Sequence, residues 1–276
     1  MAREQSFMLS EEQRSRFHED GFLVVPNVLT NDQVRSLRAA LRPKFKLPEE
    51  QRRPGDTEYL LFDIFSRHPE LRWLLFHAPT LSVLRSLLGD DFVVLREAAA
   101  HFEQFGGWHK DTTSQEREGR MFQWDDDYLM LEVAYYLQDN SPEYGGGLDV
   151  QPGSHRKPDL FAHPPSTPSR FGRFFKRRAG DAADTAASVA SVPRNAGDLV
   201  VFHFRMNHRA TPRKREDAPE DRQKMAIFLA CSRNNHHVKA YHDFIASRES
   251  YVYLKGGFAY PEDLLADCSL AGINLA

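Results

Sequence analysis

The stretch AGDLVVFHFRMNHRATP, residues 196 to 212, decides how the chain reads. It opens on a Gly-Asp turn signal, continues as a short apolar run, and leaves it irregularly through Arg205, Met206 and Asn207. A run of this length between turn residues is the pattern of a buried strand. Four other runs resemble it: FVVLREAAAHFEQ (92–104), DYLMLEVAYYLQD (127–139), GGLDVQP (146–152) and KMAIFLACS (224–232). The turns between them carry Gly, Pro, Asn and Asp, and no helical pattern of about 10 to 15 residues alternates with them. Antiparallel strands in a barrel or sandwich are therefore expected.

Upstream of the strands the pattern changes to helix. SEEQRSRFHEDG begins with Ser10, carries Gln13 three residues later, and stops at Gly21, the signature of a capping box and a glycine stop. FLVVP (22–26) is a short buried strand. Thr30 with Gln33 repeats the capping pattern ahead of Val34, Leu37 and Leu41, which share one helical face. Residues 48–56 are polar and contain Pro and Gly, so they read as a loop. HPELRWLLFHAPTLSVLRSLLGDD (68–91) gives two helical stretches, the second ending at Gly89. The chain is thus expected to be one domain, helical over about 1–90 and β over about 91–260. Residues 156–194 interrupt the strands at a length unusual for a plain loop and are expected to form an insertion or lid.

Bulk properties set limits. The 276 residues are 41% hydrophobic, enough for a sizeable core, and carry 36 Lys and Arg against 39 Asp and Glu. A formal charge of −3 gives no whole-protein attraction to nucleic acid or to an anionic membrane. Cys231 and Cys268 match no disulfide or metal spacing, the first residues are too charged for a signal sequence, and no apolar run reaches membrane-spanning length. A soluble cytoplasmic protein is the expectation.

Chemistry is carried by FGGWHKDTTSQ (105–115). In extended chain His109 and Asp111 share a side while Lys110 points away, so the pair can address one ion. A second histidine would complete a two-His, one-carboxylate set. His203 and His208 are both candidates. His203 alternates with the apolar side chains of its strand and suits the core, whereas His208 leaves the strand beside Asn207, which favours it as the ligand. His155 in QPGSHR suits a turn, and His236 with His237 in RNNHH suits a solvated loop.

In order along the chain, WHKD (108–111), GGGLDVQPGSHR (145–156), AGDLVVFHFRMNHRATP and DRQKMAIFLACSR (221–233) resemble the phytanoyl-CoA dioxygenase family of Fe(II)/2-oxoglutarate oxygenases. FHEDGFLVVPNVLT (17–30) is similar to that family's opening. The resemblance implies a mainly β fold with flanking α-helices and a double-stranded β-helix core, jelly-roll or cupin-like. It implies Fe(II) held by His109, Asp111 and His208, with 2-oxoglutarate as co-substrate and O₂ as oxidant. The family also places a basic residue on a late strand for the distal carboxylate of 2-oxoglutarate. Here Arg222 is nearest the usual spacing and has the bidentate chemistry, and Lys224 is the second choice on the same side of the strand. Trp108 and Tyr135 are candidate pocket residues, with plain core packing as the alternative for both. Because Asp111 is present, chlorination is not implied.

The implied reaction is hydroxylation or another oxidation of an unactivated C–H bond of a small molecule, natural-product intermediates included, with release of CO₂ and succinate. Arg170, Arg173, Lys176, Arg177 and Arg178, interleaved with Phe171, Phe174 and Phe175, either cover an anionic or amphipathic substrate or form a solvated face, the latter being favoured. Two rival readings use the same fold: a zinc-dependent hydrolase or isomerase, which would not need the late basic residue, and a non-catalytic small-molecule-binding module, against which three intact ligand types argue.

Overall fold

The computed structural model describes residues 7–162, 188–255 and 258–276. Two sheets carry the architecture. The larger runs in the order β1 (Phe22–Val25), β7 (Leu199–His203), β4 (Met130–Tyr136), β9 (Met225–Ser232), β3 (Val93–Phe102) and β10 (Asn274–Leu275), with β2 (Leu60–Phe62) also on β3. The smaller is β6 (Ala190–Val192), β5 (Leu148–Val150) and β8 (His208–Ala210). All pairings are antiparallel except β10 on β3.

Strand alternation sorts the side chains into two layers. Leu131, Val133 and Tyr135 of β4, Leu199 and Val201 of β7 and Ile227 and Leu229 of β9 face the helices. There they pack with Leu37 and Leu41 of α2 (Asn31–Phe45) and with Val83 and Leu84 of α4 (Ala78–Leu88). Ala134, Tyr136, Val200, Phe202 and Ala226 face the other way, onto Leu148 and Val150 of the smaller sheet. With both faces covered, every residue of β4 is buried.

The capping patterns form as read. Ser10 accepts from the Gln13 amide while Gln13 accepts from Ser10, ahead of α1 (Glu11–Asp20), and Thr30 and Gln33 do the same for α2. Gly21 ends α1 with φ +83°, and a Cβ there would strike His155 and Met206, so both conformation and packing demand glycine.

The two helical stretches expected in 68–91 form, the first as a 3₁₀ segment over 69–76 with Pro69 at its start and the second as α4, which ends at Gly89. Two expectations are corrected. RNNHH is no loop: Asn235 caps a helix, α6 (His236–Ser247), and His237 is wholly buried in its first turn. Residues 190–192 belong to the smaller sheet, so the interruption is shorter than 156–194. Its residues 163–187, with the arginine and phenylalanine cluster read above, lie outside the described residues. Cys231 and Cys268 are buried and unpaired, and no helix of the described residues is long and apolar enough to cross a membrane.

Candidate metal centre and the cavities beside it

His109 and His208 meet through their own backbones. Each amide donates to the other's carbonyl, at 3.0 and 2.9 Å, forming an isolated bridge that docks the His-x-Asp segment onto the start of β8. The Asp111 amide then donates to the Phe204 carbonyl at 3.1 Å. Two short main-chain anchors thereby join stretches far apart in sequence and carry all three side chains to one place.

Side-chain geometry completes the convergence. His109 Nδ1 lies 2.7 Å from the Gly107 carbonyl and His208 Nδ1 lies 3.0 Å from that of Met206. A carbonyl can only accept, so each Nδ1 carries the proton and each Nε2 keeps its lone pair. The two Nε2 atoms stand 3.8 and 3.6 Å from Asp111 Oδ1. Asp111 Oδ2 is buried without a hydrogen-bond partner. Burial lowers the His208 imidazole to about 4 and raises the Asp111 carboxyl to about 6. Two neutral imidazoles, one carboxylate and an orphaned oxygen, with ligand atoms within 4.8 Å of one another, fit a divalent cation.

The surrounding turn fixes this arrangement. Ser154 Oγ receives the Asn207 amide at 2.9 Å and itself lies 3.1 Å from Met206 Sδ. Lys110 is 1% exposed, and its Nζ donates to the carbonyls of Ser154 and Lys157 at 3.0 and 2.6 Å. The PGSH turn is thus clamped both to the loop that delivers His208 and to the segment that delivers His109 and Asp111. Lys110 does point away from the ligand cluster, as alternation requires.

Two cavities open on the cluster, of about 330 and 430 Å³, and both are lined by His109, Asp111, Glu97, Glu132, Arg248 and Tyr251. The first extends past His208 between Phe202 and Phe228 to Lys224. The second runs past Trp108 toward Phe244. These volumes suit small molecules.

Lys224 and Arg222 part company here. Lys224 is 5% exposed; its amide donates to Glu103 at 2.6 Å and its Nζ to the Gln104 carbonyl. Burial lowers its ammonium to about 8. Arg222 instead pairs with Asp139 at 2.8 Å near the surface and does not line the cavity. The shared-side argument fails because β9 begins only at Met225, and Arg222 sits in a turn closed by its amide on the Pro219 carbonyl. Tyr135 is also displaced from its expected place: it faces the helices, bonded to Thr80 Oγ1 at 2.6 Å, and its neighbour Tyr136 lines the cavity. Trp108 does form a wall, of the second cavity, under the Arg209 guanidinium. His203 lies in the core, where its Nδ1 accepts from the Arg205 amide.

Sequence reading passed over Glu97 and Glu132. Glu132 gave one usable signal, as the lone charge inside the apolar run LMLEVAYYL.

Comparisons with known proteins bear on the family and the fold. A family model described as phytanoyl-CoA dioxygenase (PhyH) matches residues 17–217. The ectoine dioxygenase of Sphingopyxis alaskensis is 27% identical over 162 residues, 54% of this chain and 50% of that protein, so the chain spans about half the length of the curated relatives it matches. Among solved structures, EctD from S. alaskensis with 2-oxoglutarate and 5-hydroxyectoine aligns with TM-score 0.59 at 19% identity, covering 83% of this chain and 78% of that one. SnoK, a non-heme alpha ketoglutarate dependent carbocyclase from nogalamycin biosynthesis, aligns with TM-score 0.56 at 21% identity, covering 84% and 90%. At these identities the likeness is one of fold, and the fold is the jelly roll.

Proposed function

Since the chain belongs to the phytanoyl-CoA dioxygenase family, we propose that it is a non-haem Fe(II)/2-oxoglutarate-dependent oxygenase that oxidises a C–H bond of a small molecule, releasing CO₂ and succinate. The observation that carries this is one convergence: a His-Asp-His donor set at the junction of two cavities, one of which leads to a buried lysine. His109, Asp111 and His208 would hold the metal. Bound Fe(II) supplies the activation of O₂ coupled to oxidative decarboxylation of the 2-oxo acid, chemistry no side chain offers.

The chain's own residues do the rest. Lys224 takes the distal carboxylate of 2-oxoglutarate, in a pocket whose apolar walls, Phe202, Phe228 and Leu148, strengthen that ion pair by excluding water. His101 beside it is lowered to about 3 by burial and by Lys224, so it stays neutral and does not compete for the carboxylate. The second cavity, walled by Trp108 and Phe244, is left for the substrate. Asp111 supplies a protein carboxylate at the metal, which favours oxygen insertion over halide transfer.

Anaerobic titration with Fe(II) and then 2-oxoglutarate tests this. A weak charge-transfer band near roughly 500–530 nm is expected from a 2-oxo acid chelated at open facial-triad positions. His109→Ala is expected to abolish it. Lys224→Ala is expected to raise the 2-oxoglutarate Kd about 30-fold, the worth of about 2 kcal/mol for one buried charge-assisted contact, and Arg222→Ala to leave it unchanged. Bound iron without the band would sink the reading in favour of a zinc enzyme or binding module.

A further inference from the structure

The metal cluster accounts for Asp111 but leaves two carboxylates beside it without a task. Glu132 sits mid-strand in β4, opposite Phe202 of β7 and Ala230 of β9, on the face that looks between the sheets. It is 9% exposed and lines both cavities. Among the described residues nothing donates a hydrogen bond to it, and the charges that bear on it, Asp111 and Glu97, are both negative. Burial and these two negative neighbours hold the Glu132 carboxyl well above the ordinary carboxylate range, so that a cation brought against it is what ionises it, and an acid so placed is the mark of a group retained for binding.

Glu97 reaches the same space from β3, which lies on the other side of β9 in the same sheet. The β3–β9 register shifts between Val94 and Ala98, an irregularity of the kind that re-aims a side chain next to a site. Its two oxygens accept from the hydroxyls of Tyr241 and Tyr251, which hold it in place and leave it an acceptor. Both tyrosines line the second cavity with it.

Charge accounting points one way. On the oxygenase reading, the dication, Asp111, the two carboxylates of 2-oxoglutarate and the Lys224 ammonium sum to zero. Glu97 and Glu132 then remain, two carboxyls that burial raises above their ordinary range and that an incoming cation would ionise. The arginines that line the second cavity are engaged elsewhere: Arg117 donates to the Phe161 carbonyl, and Arg248 lies over the Phe244 ring, 5.2 Å from its centre, and within 4.0 Å of Glu118. Arg248 bears on Glu97, and none of the described cations bears on Glu132.

We propose that the substrate is a small molecule with a cationic nitrogen, an amine, amidine or guanidine, which Glu132 receives directly and Glu97 flanks, placing the carbon next to that nitrogen at the metal. Two carboxylates facing one cavity reject an anion and desolvate a neutral group without return, so they select charge as well as position. This rests on the oxygenase reading for its geometry, but the charge preference can be measured apart from it.

The test uses three probes of one shape: benzylamine, benzyl alcohol and benzoate. Binding to the full-length protein with Zn(II) and 2-oxoglutarate, and again without metal, is followed by saturation-transfer NMR. Benzylamine is expected to bind about tenfold tighter than benzyl alcohol, the order of one charge-assisted contact, with benzoate weakest. Glu132→Gln, nearly isosteric, is expected to abolish the preference, and Glu97→Gln to reduce it. Unfolding temperatures establish that both variants fold, and the wild-type ranking stands as a test without them. Equal binding of the three, a preference for benzoate or the alcohol, or an amine preference that survives Glu132→Gln overturns the proposal. Failure of the oxygenase reading would appear separately, as bound Fe(II) giving no charge-transfer band with 2-oxoglutarate while the amine preference persists.

Discussion

Among the described residues, two clusters hold two histidines and a carboxylate with ligand atoms within 4.8 Å: His109, Asp111 and His208, and Asp125, His236 and His237. By residue type they are equal. They differ in what the other atoms do. In the first, both Nδ1 atoms are committed to carbonyls, both Nε2 atoms face one carboxylate oxygen, and two cavities open on them. In the second, His237 Nε2 is already bonded to Asp127 at 2.8 Å, the His236 side chain is 69% exposed, and the group stands at a helix start, where the macrodipole disfavours a cation. A metal site is made by oriented lone pairs and access, and the count of ligand types gives only a candidate.

The largest expected effect breaks the comparison outright. His208→Ala removes one converging lone pair and is expected to abolish both the Fe(II)/2-oxoglutarate band and turnover. His236→Ala is expected to leave both unchanged, since that ring is mostly in solvent. Equal losses in the two variants, measured by anaerobic absorbance and iron content, would mean that the second cluster also serves the iron.

Much of the first cluster was legible because it depends on short-range pattern. Strand alternation, the Gly-Asp turn before Leu199 and the irregular exit at Asn207 are local features, and so are the capping boxes at Ser10 and Thr30. What stayed hidden depends on partners distant in the chain. Arg222 lost its expected place to Asp139, 83 residues away, and to a strand that starts only at Met225, three residues past it. The burial of His237 needs Phe122 and Tyr128 packed on its ring. Glu132 was visible as a charge in an apolar run, but its lack of a donor depends on Phe202 and Ala230 arriving from two other strands.

A smaller effect sharpens the contrast between Lys224 and Arg222. Burial holds the Lys224 ammonium at about 8, below its ordinary 10.5, so the positive charge is present at pH 7 and is lost as pH rises through 8. Both carboxylates of 2-oxoglutarate stay ionised over that range, so binding weakens upward. Between pH 7 and 9 the affinity is expected to fall about tenfold, the charged fraction of a single site with this midpoint. In Lys224→Arg the guanidinium keeps its charge and the slope is expected to vanish. Titrations of the band at several pH values check both, and a slope retained in the arginine variant would assign the titration to another group.

The smallest effect concerns the adjacent tyrosines of β4, which period-two alternation sends to opposite layers. Tyr135 is wholly buried among the helices with its hydroxyl on Thr80, and Tyr136 lines the cavity. Tyr135→Phe removes one buried hydrogen bond and leaves Thr80 Oγ1 with His77 Nδ1 at 3.2 Å, so the orphaned partner is partly compensated. A loss of about 1 kcal/mol in denaturant unfolding is expected, with 2-oxoglutarate affinity unchanged. Tyr136→Phe keeps the same ring in the cavity wall but removes a hydroxyl from its lining, so its effect is expected in ligand affinity with little in stability. If the two variants exchanged these outcomes, the assignment of β4's faces, and with it the position of Glu132 on the cavity side, would be wrong.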